Sequence, residues 1–229
     1  MNIVDIFPDI DVQDFREVDL NEEARIYLTE LWVLADGKWM QPNPLINADE
    51  CDKFLQHVHH KYGTRFSYGG YGEDRSILWH DTYLDTLRAY HHLGIDINVP
   101  AWTRIVSPIS GRVVVSDHDK DHPTAPQHHG WGNRLIITPD DSEYALILAH
   151  LSSDTRRVVG TIITRWETLW TIWTPKQNGW WFEHFHIQAI SRRKLEDIMR
   201  AWKLSELDGY AVSMDEETQT IYPSAFTVF

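Results

Sequence analysis

Apolar positions recur along this chain with two different periods, and the change of period divides it. In residues 48–62, Ala48, Cys51, Phe54, Leu55, Val58 and Tyr62 follow at roughly 3.6-residue spacing, which predicts a helix ending at Gly63. Upstream, residues 21–28 open a shorter helix with Asn21 as its cap, and Pro42, Asn43 and Pro44 break the chain between the two. From Phe66 the character changes. Tyr68-Gly69-Gly70-Tyr71-Gly72 reads as a loop that needs unusual backbone angles, structural or groove-lining. Runs rich in β-forming residues follow at 94–99, 104–115, 133–138, 144–151, 158–164, 167–174 and 184–190, with turn signals between them. Short strands at this spacing predict a mainly β fold, an antiparallel sandwich or open barrel. Residues 191–195 lead into a helix reaching about Lys203, and a polar tail follows. The chain therefore divides into a partly helical N-terminal extension packed on the core (1–65), a β-rich domain (66–192), and a C-terminal helix and tail (193–229).

Composition narrows the partners. The net charge is −13, so there is no basic footprint for nucleic acid. The same charge opposes tight docking on anionic polymers or lipid. Cys51 is the only cysteine, which allows neither an internal disulfide nor a cysteine-built metal site. The acidic start, with Asp5, Asp9, Asp11 and Asp14, is not a secretory signal, and no apolar run is long enough to span a membrane. The chain reads as cytoplasmic, with export by another route left open. Oligomeric state is not legible.

The candidate chemistry lies in three separated pieces: His92 to Asp96, His150-Leu151, and His184-Phe185-His186. Four imidazoles and one carboxylate are the inventory of a zinc hydrolase, enough to hold a metal with groups left for catalysis. Side chains two or four apart on a strand share a face, so His184 with His186, and His92 with Asp96, can project into one groove. Gly94 between the latter pair permits a close approach. Both His184 and His186 can bind one metal, or one binds while the other faces substrate; spacing alone leaves this open.

These motifs resemble the lysostaphin-type zinc metalloendopeptidases, which cleave peptide cross-links in bacterial cell walls. The family's His-x-x-x-Asp, His-Leu and His-x-His stand here as His92 to Asp96, His150-Leu151 and His184 to His186. The resemblance extends through 94–101, 110–114, 130–137 and Asn178-Gly179, and covers about residues 66–192. It implies a fold of the duplicated hybrid motif type with short helices at both ends. It implies one Zn2+ per chain on His92, Asp96 and His186, with His150 and His184 as catalytic histidines outside the ligand set. The implied activity is hydrolysis of a peptide bond in a peptide, peptidoglycan or muropeptide substrate.

Relatives usually have glycine at several turns where this chain has tryptophan: Trp102, Trp166, Trp170, Trp173 and Trp180. A left-handed turn costs a residue with a Cβ about 1–2 kcal/mol, so these departures bear on the groove's shape more than on the metal. The spacing of Trp166, Trp170 and Trp173 also fits a helical stripe, but the interleaved threonines favour a strand. Other histidines read blandly. His57, His59 and His60 belong to a solvated helix face, His91 is an exposed neighbour and rival ligand, and the polar stretch 117–129 is a long hairpin loop. Glu183, at odd spacing from His184, faces away from the site. Two rivals to a peptidase remain: a non-catalytic zinc-binding or regulatory module on the same scaffold, and a phosphocarrier. The ligand pair His92–Asp96 and the His-x-His speak against the latter.

Overall fold

In the computed structural model, residues 1–118, 130–172, 174, 182–204 and 207–229 are described. The N-terminal region places β1 (Phe15–Glu17), α1 (Leu20–Glu30), a two-stranded β2 (Leu34–Ala35) and β3 (Lys38–Trp39), and α2 (Ala48–Tyr62). Helix α2 follows its sequence pattern. Asn47 caps its N-terminus by accepting from Asp49 and Glu50, and Gly63 ends it in a left-handed conformation. Its apolar stripe packs against α1 around Leu28, Phe54, Leu55 and Val58. The cap of α1 is Asp19, not Asn21. The Asn21 side chain instead accepts from the backbone N–H groups of Ile77 and Leu78.

β4 (Phe66–Gly69), a short α3 (Tyr83–Leu87), β5 (His91–His92), β6 (Ile95–Asn98), β7 (Arg104–Val106), β8 (Gly111–His118), β9 (Asn133–Thr138) and β10 (Tyr144–Leu151) follow. The run at 104–115 is thus two strands, parted around Pro108. Of the run at 158–164 only β11 (Ile162–Ile163) is strand. Then come β12 (Thr168–Thr171), β13 (Phe185–Ser191), α4 (Arg192–Arg200), β14 (Tyr210–Ala211), α5 (Glu216–Ile221) and α6 (Ala225–Val228).

One eight-stranded sheet dominates, in the order β1-β4-β6-β13-β10-β9-β8-β11. Its strands pair antiparallel except β1 with β4, which are parallel. The mainly β expectation holds, in the form of a mixed sheet with helices. Two elements from outside 66–192 join the β structure: β1 extends the sheet edge, and β14 pairs with β5. No described helix is long and apolar enough to cross a membrane.

Strand parity sets up the site. Ile95, Ile97, Phe185, Ile187, Leu146 and Leu148 enter one core cluster. Ala145, Ile147, Ala149 and Ile190 enter another, on the opposite face with Leu195 and Ile198 of α4. By alternation, Asp96 and Asn98 of β6 and His186 and Gln188 of β13 stand on the face opposite the first cluster. β6 and β13 bring Asp96 and His186 directly opposite one another.

Candidate metal centre

Each of the five candidate residues is buried: His92 and Asp96 are 1% exposed, His184 3%, His186 4% and His150 8%. Cross-strand pairing brings His186 to Asp96, and also to Ala149, next to His150. His150 would fall on the wrong face by parity. A register shift between Leu148 and Leu151 corrects this, and His150 takes a left-handed backbone, φ 63°. Its ring then sits 4.1 Å from that of His184 and 6.1 Å from that of His186. Gly94 is needed for contact, as its place between His92 and Asp96 suggested: a Cβ there would meet the His186 ring at 2.3 Å.

Hydrogen bonds fix which ring nitrogens face inward. His92 Nδ1 lies 3.2 Å from the Gly70 carbonyl, which only accepts, so Nδ1 carries the proton and Nε2 keeps its lone pair. The Gln188 amide donates to the Asp208 carbonyl, which turns Gln188 Oε1 toward His186 Nε2 at 3.1 Å. His186 therefore holds its proton on Nε2 and presents the Nδ1 lone pair. Asp96 Oδ1 completes the set, 2.9 Å from His186 Nδ1 and 3.6 Å from His92 Nε2, while the two nitrogens are 3.2 Å apart. Three lone pairs converge, and only a cation or a shared proton reconciles them. The donors of a tetrahedral zinc, each about 2.0–2.1 Å from the ion, lie about 3.3–3.4 Å from one another. The three observed separations bracket that value, so these residues fit the ion.

Electrostatics agree. Burial, then the Arg75 guanidinium, hold the His92 imidazole neutral, its pKa well below the ordinary histidine value, the state a metal ligand requires. Burial acts to raise the Asp96 carboxyl, but the Arg75 guanidinium bonded to it outweighs this and keeps Asp96 well below the usual carboxylate range. His184 is lowered too, chiefly by burial. Its Nδ1 donates to the Phe182 carbonyl at 3.0 Å, leaving Nε2 3.8 Å from Asp96 Oδ1. His184 thus sits beside the converging set without joining it.

Several groups around the site carried no sequence signal. Arg75, fully buried, bonds Asp96 Oδ2 at 2.5 Å. Tyr210 of β14 lies opposite His92, with ring centroids 5.1 Å apart. Trp131 meets His186 edge-on at 5.1 Å and donates to the Leu207 carbonyl. Gln188 was findable, being two residues past His186 on one strand face.

The other candidates separate as follows. Glu183 faces away and accepts from the Ala101 N–H at 2.7 Å. His57 and His60 are exposed, but His59 is half-buried and bonds Ser67 Oγ at 2.9 Å, correcting the purely solvated reading. His91 is half-buried rather than exposed and lies outside the converging set. Trp102 and Trp166 do occupy left-handed turns, whereas Trp170 lies inside β12. Residues 119–129, Trp173, Asn178-Gly179 and Trp180 are outside the described residues. A second group, His80, Asp81 and Asp85, also places three donor atoms within 4.8 Å, at a far more open position.

No protein-family model and no curated protein matches the chain. Among solved structures, it is similar to the catalytic domain of the antimicrobial peptidase lysostaphin from Staphylococcus simulans. Identity there is 19%, over 44% of this chain and 68% of that one, with a TM-score of 0.37. The chain resembles lysostaphin-type peptidases. Lysostaphin in a longer form matches at 18% identity over 56% of this chain and about half of its own length (51%), with a TM-score of 0.38. LytU matches at 24% identity over 44% of this chain and 61% of its own, with a TM-score of 0.35.

Proposed function

We propose that this chain is a zinc-dependent peptidase, with His92 Nε2, Asp96 Oδ1 and His186 Nδ1 holding one ion on a scaffold of the duplicated hybrid motif type. The observation that carries this is the convergence of three fixed lone pairs, from three separate strands, at the spacing a tetrahedral ion requires. When bound, zinc supplies Lewis acidity, making a coordinated water acidic near neutral pH and polarising a scissile carbonyl.

The chain's own residues supply the rest. His184, anchored through Nδ1 to Phe182, is placed to take a proton at Nε2 from the attacking water or return one to the leaving amine. His150, its ring tilted against that of His184, is placed to donate toward a developing oxyanion. Gly70 and Gln188 hold the ligand tautomers. The substrate class is a peptide bond, in peptidoglycan or a muropeptide.

A non-catalytic zinc-binding module is the second reading. It is favoured by the depth of the site and by the Tyr210 ring lying against His92. Elemental analysis of the metallated protein, with cleavage assays on cross-linked peptidoglycan and purified muropeptides, separates the readings. Zinc near one per chain with chelator-sensitive cleavage supports the peptidase. Zinc without cleavage supports the module, and no zinc at all sinks both.

A further inference from the structure

We propose that Arg75 is a positioning residue that fixes how Asp96 meets the metal; this rests on the zinc reading above. Arg75 is completely buried. Its Nη1 bonds Asp96 Oδ2 at 2.5 Å, and its Nε bonds Glu73 Oε2 at 2.8 Å. Glu73 is in turn held from the other side, its Oε1 accepting from the Asn21 N–H near the start of α1 at 2.6 Å. Tyr210 Oη lies 3.3 Å from the same Nη1 and accepts from Trp79 Nε1. The backbone is shaped around this guanidinium. Gly70, at φ 104°, passes so close that a Cβ would meet Arg75 Nη2 at 2.2 Å and His92 Nδ1 at 2.7 Å.

A guanidinium stays charged and holds a fixed geometry. With Oδ2 engaged, Asp96 can offer the metal only Oδ1, the oxygen that faces both histidines. One-oxygen presentation suits a small four-coordinate ion and disfavours larger ions that take both carboxylate oxygens. The same guanidinium offsets one of the two negative charges, of Glu73 and Asp96, buried beside it.

The test is metal affinity by chelator competition in wild type, Arg75→Lys and Glu73→Gln, alongside melting of each metal-free protein. Removing a group that holds a ligand typically costs about 10–100-fold in affinity. Weaker zinc binding in both variants and a zinc-over-manganese preference that falls are expected, beside the loss of metal-free melting that breaking a buried ion pair brings. A purely structural ion pair would lower melting and leave the metal preference where it was, overturning the proposal. If wild type itself binds no zinc, the metal reading fails first, which is a distinct result. Should Glu73→Gln fail to fold, Arg75→Lys decides alone on the same two readouts.

A second inference rests on different residues. Among the described residues, eight that are not glycine have positive φ, and four of them are tryptophan: Trp32 (59°), Trp102 (70°), Trp166 (72°) and Trp202 (58°). All four are exposed, from 49% to 94%. Glycines in this same molecule show what these turns are. Helix α2 ends with Gly63 N–H bonded to the His60 carbonyl and Thr64 N–H to the His59 carbonyl. Helix α1 ends in the same pattern with Trp32 in the glycine place, bonding Trp32 to Thr29 and Val33 to Leu28. Helix α4 repeats it with Trp202, bonding Trp202 to Met199 and Lys203 to Ile198. Gly160 is the third residue of the turn closed by Thr161 N–H on the Val158 carbonyl. Trp102 and Trp166 hold that place in turns closed by Thr103 on Pro100 and Glu167 on Thr164. The contrast lies in Trp39, Trp79 and Trp131, none of which has positive φ. Trp39 stacks on His80, and the indoles of Trp79 and Trp131 donate to Tyr210 and Leu207.

We infer that positions 32, 102, 166 and 202 are glycine in the protein as its own cell makes it. UGA specifies tryptophan under one genetic code and glycine under another, and one such codon at each turn would produce this pattern. The gene should then carry UGA at these four positions and UGG at 39, 79 and 131. Peptides from the native protein should show glycine masses at the four turns. UGG at the four codons, or tryptophan in the native peptides, would overturn the inference. For protein that does carry tryptophan there, each Trp→Gly change is expected to raise melting by about 2–4 °C.

Discussion

Two groups of side chains in this molecule satisfy the same distance test for a metal ion, and they differ in almost every other respect. His92, Asp96 and His186 come from three separate strands and are buried, and each has a further partner that fixes its orientation: Gly70, Arg75 and Gln188. His80, Asp81 and Asp85 are neighbours in sequence and stand half-exposed or exposed. Their polar atoms are already engaged in shaping a turn. Asp85 accepts from the Asp81 N–H and the Tyr90 hydroxyl, Asp81 accepts from the Asn43 N–H, and His80 stacks on Trp39. The first group has lone pairs aimed at a common point and no donor among them. The second has donors enough to satisfy its carboxylates. Proximity of ligand-type atoms is therefore common; what distinguishes a site is that its neighbours leave the inward electron pairs unmatched.

The sharpest way to break this comparison is to remove one member of each group. His186→Ala is expected to weaken zinc binding by more than about 100-fold, beyond the range for groups that merely hold a ligand. His80→Ala is expected to leave zinc content unchanged. Elemental analysis of both after equal metallation checks this, and zinc lost from His80→Ala with zinc kept in His186→Ala would reverse the assignment. Next in size, His150→Ala and His184→Ala should keep the ion but lose about 10²-fold in cleavage. Release of zinc by His184→Ala would make it a ligand.

How far this was legible in sequence follows the same division. The five candidate residues stood out in sequence because their chemistry is rare and the strands that carry them alternate: Asp96 and His186 are brought to one face by parity alone. His150 was readable as chemistry but not as geometry. Parity points it to the Leu146–Leu148 face, and only the bulge, invisible in sequence, brings it to His184. Helix α2 was readable to its last residue because its apolar stripe and Gly63 agree. Helix α1 was misread at its start because Asp19 and Asn21 are equally good caps by type, and tertiary bonds to Ile77 and Leu78 claim Asn21. Arg75 lies in an acidic loop whose local sequence resembles any solvated turn. Its role depends on contacts 21 residues away at Asp96 and far later at Tyr210.

A subtler test uses acid on the metal-free protein. Burial holds His92 and His184 below their ordinary pKa. An unfolded chain binds protons at these groups as pH falls through about 6.5, while the folded chain does not. The unfolded state then holds more protons, so stability is fully present above that pH and is lost on going down toward the folded pKa values. Chelator-treated protein should therefore melt at lower temperature from about pH 6.5 downward. His184→Gln, which has no charge to gain, should shrink the slope. A slope unchanged in His184→Gln would show that this imidazole does not carry the dependence.

The smallest effect belongs to the open cluster itself. Burial, and then the hydrogen bond to Asp85, push the Tyr90 hydroxyl up to about 12. The phenol donates to Asp85 Oδ1 at 2.5 Å, so ionising it sets two negative charges against each other. Asp85→Asn removes the charge and leaves one acceptor oxygen for two donors, the Tyr90 hydroxyl and the Asp81 N–H. Tyr90 should then titrate closer to the ordinary tyrosine value of about 10, visible in the ultraviolet absorbance of the phenolate. Weakening one bond to a charged group costs of order 1–2 kcal/mol, so a modest fall in melting temperature is expected with zinc content unchanged. If Asp85→Asn instead lost zinc, the carboxylate would be a ligand rather than the anchor of a turn. The distinction between satisfied and unmatched lone pairs would then fail where it is most easily checked.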